Sequence, residues 1–186
     1  IEGAEWPADY FSDSIWFDAW PETHEVSALA LDPAQAHGER EKGCYAAFVY
    51  CQLSAGVVYV DAWLEREGGA PRLVERALSL NAEKRPQAFG VEVNGGQEFL
   101  ATLLLTEAAT RRQTLPLCAI TNSKPKDVRI RTLGPLLAQG KLRFRRGSRG
   151  AQMLVEQLRD FPAAEFRDAP DGLEMSTRLL NWLLTG

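Results

Sequence analysis

Three carboxylates in this chain stand where ordered segments end. Asp32 closes the apolar run 26–31 in the phrase Leu-Asp-Pro-Ala-Gln, Glu92 lies within Val-Glu-Val-Asn-Gly-Gly, and Asp168 sits just before the last helical stretch. Carboxylates gathered from distant points of one chain are the donor set of a hard divalent cation such as Mg²⁺ or Mn²⁺, and beside a phosphodiester such a site supports hydrolysis. Two-ion cleavage needs several oxygen ligands around ions about 3.5–4 Å apart, which neutral side chains cannot hold. Asp171 and Glu174 follow Pro170 and suit the positive end of a helix dipole. Asp171 is kept as an accessory metal candidate, and Glu174 is set aside. Taken singly, each acid has an ordinary role: Asp before Pro opens turns, and Glu92 before Asn-Gly-Gly can end a strand in solvent.

Other chemistries fit less well. A GxxxxG spacing begins at Gly90, but Gly96 stands where a phosphate-cradling loop needs lysine. No GxSxG elbow or dinucleotide fingerprint occurs, and His24 and His37 have no nucleophile beside them. The three cysteines cannot all pair. Cys44 and Cys51 fall at an odd spacing on one expected strand, some 20 Å apart at about 3.3 Å per residue, which implies reduced thiols in a cytosolic protein. Neither Cys nor His shows finger-like spacing, so structural zinc is not expected. No run of eighteen apolar residues and no secretory signal appear, so no membrane association is expected.

The net charge of −4 over 186 residues hides an uneven distribution. Residues 111–150 hold eleven basic side chains and one acid, Asp127, a local charge of +10. Local fields rather than net charge steer a polyanion. Lys124, Lys126, Arg129, Lys141, Arg143, Arg145, Arg146 and Arg149 are the candidate DNA contacts. Lys141, Arg143 and Arg145 alternate along an expected strand and share a face. An ordinary charged surface explains a lysine or two but not this excess, and no base-reading motif accompanies it, so contacts of little sequence preference are expected.

These residues need a frame to hold them. Residues 26–31, 45–53 and 57–64 read as strands, the last two joined by a tight hairpin at Ser54-Ala55-Gly56. After Gly68-Gly69-Ala70-Pro71 the period turns helical, and residues 88–93 form a compact strand. Residues 97–110 read as a helix, 117–120 as a strand, 127–138 as a helix bent at Gly134-Pro135, and 141–145 as a short strand. Residues 150–161 and 170–184 complete the order as two helices. A further helix over about 8–19 is expected from the aromatic spacing. The pattern implies one α/β domain over 26–186, a mixed sheet with an antiparallel first three strands, then parallel strands, flanked by helices. Residues 1–25 read as a linker or helical segment.

Seven phrases occur in an order that resembles the C-terminal nuclease domain of phage terminase large subunits. They are Ala-Leu-Asp32-Pro-Ala-Gln, the hairpin after a glycine-bearing loop, Val-Glu92-Val-Asn-Gly-Gly-Gln, Lys126-Asp-Val-Arg129-Ile-Arg, Gly134-Pro-Leu-Leu-Ala-Gln-Gly-Lys-Leu-Arg-Phe, Glu156-Gln-Leu-Arg-Asp-Phe161-Pro and Asp168-Ala-Pro-Asp171-Gly-Leu. The resemblance spans about residues 25–183 and implies a ribonuclease H-like fold, with Asp32, Glu92 and Asp168 as metal-binding catalytic carboxylates and Lys126 and Arg129 near the DNA backbone. It also implies cleavage of concatemeric double-stranded DNA with Mg²⁺ or Mn²⁺ in the cytoplasm of a bacterial host. The implied partners are an ATPase domain of the same polypeptide, whose phosphate loop is not in this sequence, a portal and a small terminase subunit. The chain beginning at Ile1 is read as an excised domain. Two departures stand out. Arg167-Asp168 replaces two adjacent aspartates, which implies weakened activity, and Cys44-Tyr45 replaces an Asp before an aromatic. Two alternatives use the same residues: a DNA-binding or motor-docking module without cleavage, and a resolvase-like nuclease.

Overall fold

The structure, a computed structural model, describes residues 3–33, 46–66, 69–95 and 98–186. Seven strands form one sheet: β1 (Trp16–Phe17), β2 (Val26–Asp32), β3 (Ala46–Ser54), β4 (Val57–Glu65), β5 (Ala88–Glu92), β6 (Leu117–Ile120) and β7 (Leu142–Arg145). Their order across the sheet is β1-β7-β4-β3-β2-β5-β6. The segment β2–β3–β4 is an antiparallel meander, and β5, β6, β7 and β1 each pair in parallel, as the residue pattern implied. Ala55 and Gly56 both take positive φ (49° and 77°) between the paired Ser54 and Val57, the geometry of a two-residue hairpin loop.

Helices cover both faces: α1 (Gly69–Lys84) and α2 (Glu98–Thr110) on one, and α5 (Arg149–Asp160) and α6 (Asp168–Thr185) on the other, with α3 (Lys126–Arg131) and α4 (Gly134–Ala138) between β6 and β7. All seven residues of β2 are buried, and they alternate. Leu29 and Leu31 join the α1–α2 core, whereas Ala28 and Ala30 join the α5–α6 core. The small residues on that second face let α6 lie close. A Cβ on Gly90 would come 2.7 Å from Leu179, and one on Gly172 would come 2.9 Å from Val49. Ser176 also donates to the Ala28 carbonyl at 3.2 Å.

Three expectations are corrected in detail. The helix expected over 8–19 is instead two 3-10 turns, Ala8–Phe11 and Asp13–Ile15, followed by β1, because Trp16 and Phe17 gain sheet partners in β7. The helix expected over 127–138 is two helices, α3 and α4, since Pro135 has no N–H to carry the ladder through. The last helix starts at Asp168, two residues earlier than expected, because proline is tolerated in a first turn. The initial aromatics pack onto the body: Trp6 stacks on Phe161 at 5.3 Å, and the Lys84 ammonium lies 5.2 Å from the Trp20 ring and 5.6 Å from those of Tyr50 and Trp63. Among the described residues no helix is long and apolar enough to cross a membrane. Cys51 is buried, and that burial pushes its thiol up to about 12. Cys44, Tyr45 and His37 lie outside the described residues.

Candidate active site

Asp32 ends the central strand with the same parity as Ala28 and Ala30, so its side chain points to the α6 face. Leu31 pairs with Val91 in the parallel neighbour, so Glu92 stands level with Asp32 at the end of β5. The close seating of α6 then brings Asp171, in its first turn, onto both. One carboxylate oxygen from each of Asp32, Glu92 and Asp171 lies within 4.8 Å of the other two. The three residues are only 2%, 6% and 1% exposed.

Two cations are lodged against them. Lys126 Nζ lies 2.8 Å from Asp168, 3.3 Å from Asp32 and 3.8 Å from Asp171. The Arg129 guanidinium bonds Asp171, stands 3.9 Å from Glu92, and donates to the Lys124 carbonyl at 3.1 Å. Four carboxylates thus face two cations, which leaves two negative charges uncompensated when all are ionised. Oδ2 of Asp32 and Oδ2 of Asp171 are buried with no hydrogen-bond donor. The Lys126 approach to Asp32 is therefore a charge contact, not a hydrogen bond.

The energetics follow. Burial holds the Asp32 carboxyl well above its ordinary value, against the pull of Lys126 and with help from Asp171, Asp168 and Glu92. Burial likewise pushes Asp171 up to about 6, opposed by Lys126 and Arg129 and assisted by Glu92. Burial works against the Lys126 ammonium, but Asp32, Asp168 and Asp171 outweigh it and raise its pKa. A cluster in this state takes up either protons or a further cation.

Sequence reasoning placed Asp32 and Glu92 at adjacent strand ends, and the structure brings them together. It sets Asp171, kept only as an accessory, inside the cluster, and it puts Asp168 across Lys126 from it. Arg167, the replacement cation, donates to Asp127 at 2.7 Å. A surrounding shell went unread. Asn122 donates to Glu92 at 2.7 Å, exchanges two hydrogen bonds with Asn94 (2.7 and 2.8 Å), and accepts from Arg178 at 2.8 Å. Arg178 in turn bonds Glu174 at 2.6 Å. Asn94, just past Glu92 in the quoted phrase, was the one signal available for this shell.

The eight basic candidates separate into groups. Lys126 and Arg129 engage the carboxylates, and Lys124 is exposed beside them. Arg143 donates to the Ser14 carbonyl, and Lys141 is exposed at the start of β7. Arg145 meets Asp61 at 3.1 Å and Arg146 meets Asp13 and Asp18 at 3.1 and 3.0 Å, with Arg149 exposed at the start of α5.

Comparison with solved structures finds the same fold at low identity. Thermus thermophilus RuvC matches with a TM-score of 0.50 and 13% identity over 87% of this chain and 97% of that one. The HK97 bacteriophage large terminase matches with a TM-score of 0.60 and 12% identity over 86% of this chain, which spans 40% of that protein. A point mutant of the nuclease domain of the large terminase subunit of bacterial virus Sf6, solved with manganese, matches with a TM-score of 0.59 and 13% identity over 82% of this chain and 88% of that one. No curated protein sequence matches the chain. The mixed seven-stranded sheet is ribonuclease H-like. With the profile of the terminase RNaseH-like domain matching residues 29–172, the chain belongs to that family.

Proposed function

We propose that this chain is the nuclease domain of the large terminase subunit of a virus or prophage, cutting concatemeric double-stranded DNA by metal-dependent phosphodiester hydrolysis. The observation that carries the reading is the buried cluster, with its excess negative charge and two oxygens that no donor reaches. An all-oxygen, multiply charged donor set fits Mg²⁺ or Mn²⁺. Asp32, Glu92 and Asp171 would hold such an ion, with Asp168 as the further carboxylate of a two-ion site. Bound there, the metal supplies a Lewis acid for the phosphoryl group and lowers the pKa of the attacking water.

The chain's own side chains do the rest. Arg129 and Asn122 fix the carboxylates of Asp171 and Glu92. Lys126 offsets part of the charge between Asp168 and Asp32 and stands ready to meet a backbone phosphate. Arg167, held by Asp127, leaves the three-carboxylate cluster intact, which supports an active site despite that replacement. Manganese in the Sf6 domain supports the choice of ion, and the larger HK97 protein supports a partner ATPase domain in the same polypeptide. In this reading duplex DNA is the substrate, a portal and a small subunit are the outer partners, and the host cytoplasm is the setting.

The test is nicking of supercoiled plasmid with Mn²⁺ or Mg²⁺. Relaxed and linear products are expected from the parent, and none from Asp32→Ala at matched times. Equal rates would refute the assigned site. Binding without any cleavage would leave a DNA-holding module, and a preference for branched over linear duplex would turn the reading toward a resolvase-like nuclease.

A further inference from the structure

Where β7 stops at Arg145, β4 runs on to Glu65, and the outer edge of 62–65 has no strand beside it among the described residues. The gap is a cavity of about 490 Å³ bounded by that edge, α1 and the start of α5. Four arginines line it, Arg76, Arg145, Arg146 and Arg149, against two acids, Asp61 and Glu65.

Neither acid is left over to repel an anion. Asp61, 1% exposed, accepts from the Ala62 N–H at 2.8 Å, from Ser148 Oγ at 2.5 Å and from Arg145 at 3.1 Å. Glu65 is held by Arg76 at 2.7 Å and Arg72 at 3.4 Å. A guanidinium has five N–H donors in a fixed fork, so Arg76 and Arg145 retain most of theirs while their heads are held in place. Arg146 is paired only with exposed aspartates, contacts that are weak and readily exchanged. Arg149 makes no ion pair among the described residues. The wall is built for close approach, since a Cβ on Gly150 would collide with the Ala62 carbonyl.

The cavity opens at the end of the sheet that bears the carboxylates. Leu64 pairs with Ala47 and Ala47 with Asp32, so two strand spacings, roughly 10 Å, separate them. A duplex seated on the carboxylates passes within reach of both. We infer that this cavity is a phosphate-binding subsite, in which Arg76, Arg145, Arg146 and Arg149 grip a backbone phosphate of the DNA away from the bond to be cut. Arg–phosphate pairing through two parallel N–H bonds suits that ligand, and the volume is that of a small-ligand site. The inference rests on the nuclease reading, and it separates these cations from Lys141, which lies outside the cavity.

The test is binding of a labelled linear duplex to the whole chain in EDTA across a salt series, followed by cleavage with Mn²⁺. Arg149→Glu keeps the fold, because an acid suits the first turn of α5. It should weaken binding about tenfold and flatten the salt dependence by about one phosphate contact. In cleavage it should raise KM more than it lowers kcat. Lys141→Glu, the same charge change outside the cavity, should leave the slope intact. If the parent cleaves but the two variants behave alike, or Arg149→Glu keeps the parental slope, the subsite is overturned while the nuclease reading stands. If the parent neither binds nor cuts duplex, both fall together.

Discussion

At one end of the sheet, Asp32, Glu92 and Asp171 converge at exposures of 1–6% from β2, β5 and α6, with two cations pressed against them. About two strands away, four arginines line an open cavity at the edge of β4, with Arg145 and Arg146 each 44% exposed. Both regions are strongly charged, but they differ in what water does. Burial makes the carboxylates costly to ionise without a counter-ion, which ties their state to protons and metal. Exposure lets solvent screen the arginines, so each is worth little alone and the group acts through number. One region is suited to chemistry and the other to grip.

The largest effect that tests this division comes from Asp32→Ala. Cleavage in Mn²⁺ should fall by at least about 100-fold, more than a supporting residue costs, while duplex binding in EDTA stays within about twofold. Loss of binding to the same degree would erase the distinction. Next in size, Asn122→Ala removes the donor that holds Glu92 and should lower Mn²⁺ affinity by about 10–100-fold, read by calorimetric titration, with the salt dependence of DNA binding unchanged.

The acidic cluster should also respond to pH where the arginines do not. Asp32 and Asp171 bind protons more tightly in the folded chain than their ordinary value of 3.8. The stability they lend the metal-free domain is therefore complete below that value and lost as pH climbs through about 6. Melting in EDTA should show this decline, and added Mn²⁺, which displaces the protons, should stabilise the domain more at pH 7 than at pH 5. The smallest effect belongs to the other region. Ser148→Ala removes the cap of α5 and one donor to Asp61, and should cost about 1 kcal/mol in denaturant unfolding without changing Mn²⁺ affinity.

Much of the acidic region was legible because strand ends announce themselves: Asp32 before Pro33 and Glu92 before Asn94-Gly95 are local signals. Asp171 was undervalued for a geometric reason. With the last helix taken to begin at Pro170, it looked like a dipole partner; begun at Asp168, the same helix turns it onto the sheet. The basic region was legible as composition only. Partners such as Asp61 for Arg145, or Asp13 for Arg146, lie over eighty residues away, and nothing in local spacing encodes them. Nor has a two-residue strand any period to detect, so β1 was read as helix.

That short strand has a consequence for how the molecule behaves among its own copies. β1 stands outside β7 at the margin of the sheet, and Arg146 N–H bonds the Phe17 carbonyl beside it at 2.9 Å. A shortened chain beginning at Val26 would keep every residue of both charged regions, yet it would leave β7 with an unpaired backbone and nothing to guard it. Such a margin is a template for a neighbouring molecule to extend. The opening two dozen residues, which add no chemistry, keep the sheet from growing.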